Sequence, residues 1–304
     1  MDTLFGLAGG AKVSALADNA ICQGRLTLTT VVPVTTADVT AATTVYFTPF
    51  RGNQVALFNG SKWKRYPFTE FSIPVPATTN TNYDFFLRDQ SAYPYPQVVA
   101  WSSDTARASA ISLKNGVYTL TDDPRLRYLG SFRTTGTSGQ TEDSGDRGSL
   151  VEAKRYLWNY YNRVPRRIRI SDTTNSWTYT TNTHRSWNNN TANRVSFVIG
   201  VSETPLFLTF TAMHYDNSSN SAAVGVGIDS TSVNSAGIFP SHNNVLTAGA
   251  EPSYVMCVYN GIITAGYHYA QLLEIGQGGA TTTTWWGDNN RTWSQSGAVG
   301  WIMG

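Results

Sequence analysis

Apolar and polar residues alternate along most of this chain, with the period of two that belongs to strands. The pattern is plain in Arg-Leu-Thr-Leu-Thr-Thr from Arg25, Ile-Ser-Leu-Lys from Ile111, Arg-Ile-Arg-Ile from Arg167, Trp-Thr-Tyr-Thr from Trp177 and Leu-Phe-Leu-Thr-Phe-Thr-Ala from Leu206. Three Asn-Gly pairs, Asn59-Gly60, Asn115-Gly116 and Asn260-Gly261, sit between apolar runs. Asn-Gly tolerates the positive φ that tight hairpins need, so a hairpin is expected at each, the last one turning the apolar segment from Tyr254 to Leu273. Prolines in Ile-Pro-Val-Pro from Ile73 and in Tyr-Pro-Tyr-Pro from Tyr93 cannot donate to a ladder. They place those stretches on sheet edges or in loops.

One stretch departs from this pattern. In residues 149–165 the apolar positions Leu150, Ala153, Leu157, Tyr160 and Val164 recur at spacings of three and four, which predicts a short amphipathic helix. Ser149 and Glu152 form a capping box at its start, and Pro165 ends it. Glu152, Arg155, Asn159 and Asn162 fall on the opposite face. The stripe is a candidate oligomer interface. It packs either on the chain's own sheet or against copies of itself at a symmetry axis.

These elements predict a mainly β fold: two antiparallel β-sandwich, jelly-roll-like domains joined by one short amphipathic helix. Residues 1–20 are small and apolar and read as an arm. Residues 21–132 make the N-terminal sandwich, 133–165 a polar, glycine-rich linker followed by the helix, and 166–304 the C-terminal sandwich.

A chain of 304 residues is long enough for two cores. Charged residues are 14% of it, so Thr, Ser, Asn and Gly must cover much of the surface, as in many extracellular and virion proteins. A net charge of +2 is too small to argue for nucleic acid or an anionic membrane, and no nucleic-acid partner is expected. The densest basic patch is Lys154, Arg155, Arg163, Arg166, Arg167 and Arg169, read as a phosphate or acidic-glycan contact or as a solvated flank and interface edge. Cys22 and Cys257 are expected to be free thiols, Cys257 in a buried strand. The N-terminus has no basic region of a secretory signal, and no stretch is long enough for a membrane-spanning helix, so membrane insertion is not expected.

The candidate chemistry is sparse. The histidines His184, His214, His242 and His268 form no ligand pair at helical spacing, so no metal site and no cofactor is expected. His214 and Asp216 alternate onto one face of a strand. Two carboxylates facing across a cleft, as a glycan-cleaving enzyme needs, are not indicated by Asp122, Asp123, Glu142 and Asp143, which sit in turn or linker contexts. Trp285, Trp286 and Trp293, set among Thr, Gly, Asp and Asn, are the candidate binding residues: ring faces stack on sugars while amides and carboxylates take the hydroxyls. The alternative is that they fill a core or a subunit interface.

The run Tyr-Leu-Gly-Ser-Phe-Arg-Thr-Thr-Gly from Tyr128, the run Lys-Arg-Tyr-Leu-Trp-Asn-Tyr-Tyr-Asn-Arg-Val-Pro from Lys154, and Ser-Trp-Thr-Tyr-Thr-Thr from Ser176 together resemble a module of tailed-bacteriophage structural proteins of the tail-fibre type. The region from Arg25 to Trp63 resembles what precedes that module. The resemblance covers about two-thirds of the chain. It implies a non-enzymatic virion protein, assembled in the host cytoplasm, forming a fibre-like appendage. Its partners would be itself, as a homotrimer, other virion proteins and a host surface glycan. A capsid decoration or tail connector without host contact, and a glycan-degrading tail enzyme, are the alternatives.

Overall fold

The computed structural model describes residues 19–90, 93–147, 151–216, 221–240, 242–244, 252–276, 282–287 and 295–304. The chain is mainly β, in several sheets. At the centre lies a six-stranded antiparallel sheet whose path runs Tyr93–Ala100, Asn82–Gln90, Leu126–Arg133, Val117–Leu120 and Ile111–Lys114, with Leu157–Asn159 paired beside Leu126–Arg133. Alternation along Asn82–Gln90 sends Tyr83, Phe85 and Leu87 to one face and Asp84 and Phe86 to the other, and all five are buried.

Each face of this sheet closes a different core. On one side Phe85, Leu87, Leu129 and Phe132 pack with Leu26, Val45, Phe47, Val55 and Leu57 from a three-stranded sheet and a separate hairpin. On the other, Phe86, Leu126, Tyr128 and Trp158 join a larger core shared by two eight-stranded sheets. The first of these contributes residues such as Phe197, Val224 and Leu272. The second contributes Ile168, Leu208, Phe210, Cys257 and Ile302. The apolar cores therefore do not part at residues 133–165, because side chains from before that stretch fill the core built after it. Asp84 is buried at the same junction. It accepts from Arg107 Nε at 2.6 Å, while Arg107 also donates to the Gly200 carbonyl at 2.7 Å. Burial pushes the Asp84 carboxyl up against the pull of that guanidinium.

The helix expected over 149–165 does not form. Ser149 and Leu150 lie outside the described residues. Ala153–Arg155 is instead a strand, parallel to Arg194–Ile199 and antiparallel to Thr141–Ser144, and Leu157–Asn159 pairs antiparallel with Leu126–Arg133. A helix of this length gains little by itself in water. Tyr156, Trp158 and Tyr160 also alternate at period two, and aromatic residues suit a pleated surface. As strands, the segment sends Trp158 into the larger core and Leu157 into the smaller one. Tyr160 and Val164 are half-buried and belong to no helical stripe.

The stretch read as a linker is also corrected. Thr141–Ser144 is a strand buried throughout, paired with Val39–Ala42 and with Lys154 and Arg155. Its acidic side chains are matched from inside: Glu142 accepts from Ser144 and, at 3.1 Å, from Lys154, and Asp143 accepts from Arg155 and Arg166.

The other turn expectations divide. Asn115 and Gly116 have φ of 53° and 82° in a two-residue loop between Lys114 and Val117, and Asn59-Gly60 lies in the loop between Phe58 and Trp63. Asn260-Gly261, by contrast, runs straight through the strand Ser253–Ile263. That strand pairs with Thr204–Asp216, whereas the following Gly266–Ile275 pairs in the other eight-stranded sheet. The segment crosses between sheets and is no hairpin. Tyr93–Ala100 and Phe71–Pro74 are edge strands, as their prolines require. Cys22 and Cys257 are free and buried, and burial pushes the Cys257 thiol up to about 12.

Candidate binding face

The second eight-stranded sheet has one face in the larger core and one turned outward. Along Thr204–Asp216, Leu206, Leu208, Phe210, Ala212, His214 and Asp216 point inward and are buried, while Phe207, Thr209 and Thr211 point outward. The register then aligns rows across the strands. Phe207 stands between Trp301 and Asn260, with Arg167 beyond Trp301, and Thr209 stands between Val299 and Val258, with Arg169 beyond Val299. Met256, Tyr254 and Ile262 extend the outward face along Ser253–Ile263. The Phe207 and Trp301 rings stack at 6.0 Å.

This face is apolar and open to solvent. Ile262 is 68% exposed, Val299 56%, Tyr254 47%, Met256 44% and Trp301 37%. Single exposed apolar residues are ordinary, but a set sharing one face of adjacent strands makes that face a candidate binding surface. A hollow of about 250 Å³ opens at one end of it, lined by Thr211, Ser296 and Gly297 among others. Gly297 has φ of 155°, and a Cβ there would come within 2.5 Å of the Ile170 carbonyl, so the indentation requires glycine. Arg167 and Arg169 rim the face and both pair with Asp146, at 3.0 and 3.4 Å.

The sequence-predicted binding residues do not assemble into one surface. Trp285 is fully buried in the larger core, its ring 5.5 Å from that of His214. Register explains this: Trp285 pairs with both Trp177 and His214, whose side chains face the core. Trp286 is half-buried, and Trp293 lies outside the described residues. Of the stripe offered as an oligomer interface, Ala153 and Leu157 are buried, in two different cores, and so unavailable to a partner.

Around Trp285 the interior is unusually polar. His214 Nδ1 lies 3.0 Å from Asp216 Oδ2, both residues fully buried, and Thr283 donates to Asp216 Oδ1 at 2.5 Å. Glu274, also fully buried, accepts from Trp177 Nε1 and from Arg185 Nε, each at 2.7 Å. Burial pushes its carboxyl up to about 7, against the lowering effect of those two donors. Arg185 lies over the Tyr179 ring at 3.8 Å. His214, Asp216 and Glu274 are sealed in the core, whereas Arg185 is partly exposed. Among the described residues no group of three His, Cys, Asp or Glu side chains is placed to hold a metal ion.

The outward face was missed in the sequence, although a signal for it exists. Leu206-Phe-Leu-Thr-Phe and Tyr254-Val-Met-Cys-Val-Tyr are apolar at successive positions. A strand apolar on both sides reads as covered on both sides.

No protein-family model matches the chain, and no curated protein matches it. Among solved structures, it is similar to a Bacillus thuringiensis Cry1Da tryptic core variant at 9% identity and a TM-score of 0.19, over 95% of this chain and 53% of that one. It is similar also to the insecticidal delta-endotoxin Cry8Ea1 from Bacillus thuringiensis at 10% identity and a TM-score of 0.15, over 84% and 51%. The chain thus spans about half the length of these two structures, and at such TM-scores the likeness supports no inference about fold or action.

Proposed function

We propose that this chain is a non-enzymatic structural protein of a tailed-bacteriophage particle. It is a fibre-like appendage, built of packed β-sheets, that assembles as a homotrimer, joins other virion proteins and contacts the host surface. The observation that supports it best is the outward apolar face formed by Trp301, Phe207, Val299, Met256, Tyr254 and Ile262, five of them substantially exposed in the single chain. Burying such a face against a copy removes apolar area from water at about 25 cal/mol per Å². Pairing of Thr204–Asp216 with Ser253–Ile263 on one side and Gly297–Met303 on the other fixes these side chains on one face. The tail-fibre-like runs at Tyr128, Lys154 and Ser176 agree with this reading.

The test is the solution mass by light scattering. The expected value is three times 33.3 kDa for the unaltered chain, falling to a monomer for Val299→Asp with Ile262→Asp. A native chain that stays monomeric at every concentration removes the self-assembling fibre. Labelled protein added to host cells tests the second part: binding is expected, and its absence alongside binding to virion proteins favours a decoration or connector.

A further inference from the structure

The basic run that begins at Lys154 folds into a local excess of positive charge. Arg25, Arg155 and Arg166 are each more than nine-tenths buried. Asp143 accepts from two of them, from Arg155 Nη1 at 2.9 Å and Arg166 Nη2 at 2.7 Å. Arg25 reaches main-chain oxygens instead, those of Asn162 and Gly304 at 2.9 and 3.1 Å, and its Nε has no partner among the described residues. Burial, with Arg166 close by, pushes the Arg25 guanidinium down to about 10. Two buried guanidinium groups thus share one buried carboxylate, and a third, that of Arg25, lies near them without bonding it. Buried charge of one sign is costly unless something neutralises it.

Beside these guanidinium groups a hollow of about 210 Å³ opens to solvent, lined by Thr35, Thr36, Asp38, Arg155, Arg166 and Arg167. Its walls are held in place. Arg166 donates to the Thr35 carbonyl at 2.9 Å and to Thr35 Oγ1 at 3.0 Å, and Arg155 is fastened to the Arg167 carbonyl. Asp38 Oδ1 accepts from the backbone N–H of Gly145 at 2.9 Å and of Asp146 at 3.3 Å. Arg167 is the exposed member: its side chain is 68% exposed and pairs with Asp146 on the surface.

We propose that this hollow binds a small oxyanion, a carboxylate or a phosphate, carried on a hydroxylated molecule. The planar fork of the exposed Arg167 suits two oxygens of one anionic group, and the N–H groups of Arg166 not spent on Thr35 and Asp143 add positive charge beside it. Threonine hydroxyls and the Asp38 carboxylate suit the neighbouring hydroxyls of a sugar or polyol. Neutralising the Arg155–Arg166 pair, which has one carboxylate between its two guanidinium groups, is a gain that a solvated arginine on a flat surface does not offer. The site meets the outward apolar face only at Arg167, which pairs with Trp301 at its rim, and it stands whatever becomes of the virion reading.

The experiment is an NMR titration of the full chain labelled with ¹⁵N at arginine, reading the Nε–Hε signals at constant ionic strength, with inorganic phosphate and with glucuronate as the two probes. The Arg167 signal is assigned from Arg167→Gln, a change at an exposed position that leaves the core intact. The signals of Arg166 and Arg167 are expected to shift and saturate, while that of Arg125, which lines other hollows, stays put. Arg167→Gln is expected to weaken binding about tenfold, and Lys62→Gln, which removes an equal charge elsewhere, to leave it unchanged. Tighter glucuronate supports the proposal with an acidic saccharide as ligand, and tighter phosphate supports it with a phosphorylated one. Shifts that never saturate with either probe, or equal weakening by the two substitutions, overturn it.

Discussion

Glu274 shows how one buried side chain sets the response of the whole fold to pH. Its carboxyl is raised from 4.5 to about 7 by burial, so the folded state holds its proton more tightly than the unfolded chain does. The stability this brings is present below about pH 4.5 and is lost as pH rises through 7. For a group this buried the full effect is of order 3 kcal/mol. Glu274→Gln is expected to flatten the fall in denaturant midpoint between pH 4.5 and 8, and the same slope in both proteins would refute the assignment. Nothing in Leu-Leu-Glu-Ile at 272–275 announces this, since the partners Trp177 and Arg185 lie 97 and 89 residues away. Gly130 gives a second test. A Cβ there would collide with the Trp158 carbonyl and crowd Leu26, at an irregularity in the pairing of Leu126–Arg133 with Asn82–Gln90. Gly130→Ala should lower stability by about 1–3 kcal/mol in chemical unfolding.

At the level of elements, strands were legible wherever alternation had a half-exposed face or a turn to bound it. Ile111–Lys114 and Val117–Leu120 around Asn115-Gly116 were readable for that reason. Legibility failed where a polar or mixed segment is buried. Thr141–Ser144 looks like a linker because its Glu142 and Asp143 look solvated, yet Lys154, Arg155 and Arg166 supply their partners from residues more than ten positions away. The same long-range pairing turned a helical spacing at 153–164 into two strands. Asp143→Asn should therefore act as a core substitution. It leaves Arg155 and Arg166 without their counter-charge and is expected to cost about 3–5 kcal/mol, read as a lowered midpoint in urea. A change below about 0.5 kcal/mol would mean that these guanidinium groups are solvated after all. The candidate binding residues failed on similar grounds: spacing gives a face, but which face of Thr283–Trp286 meets solvent depends on its pairing with Thr204–Asp216.

For the whole molecule, the outward apolar face and the arginine-lined hollow are surfaces, whereas the middle of the central sheet, Asn82–Leu87 and Leu126–Arg133, is interior on both sides. Phe85 and Phe86 are neighbours in sequence, yet each belongs to a different core. It follows that neither half of the chain is a self-sufficient piece. Expressed apart, from a cut between Asp146–Arg147 and Ala153–Arg155, the leading fragment would bare Phe86, Leu126 and Tyr128 to water, and the trailing one would lose the lid those residues provide. Each fragment is expected to be recovered as aggregate, and the two co-expressed to recombine into soluble protein. For the intact chain this means a single calorimetric transition, and a tether strung through it would yield in one step instead of unravelling from either end.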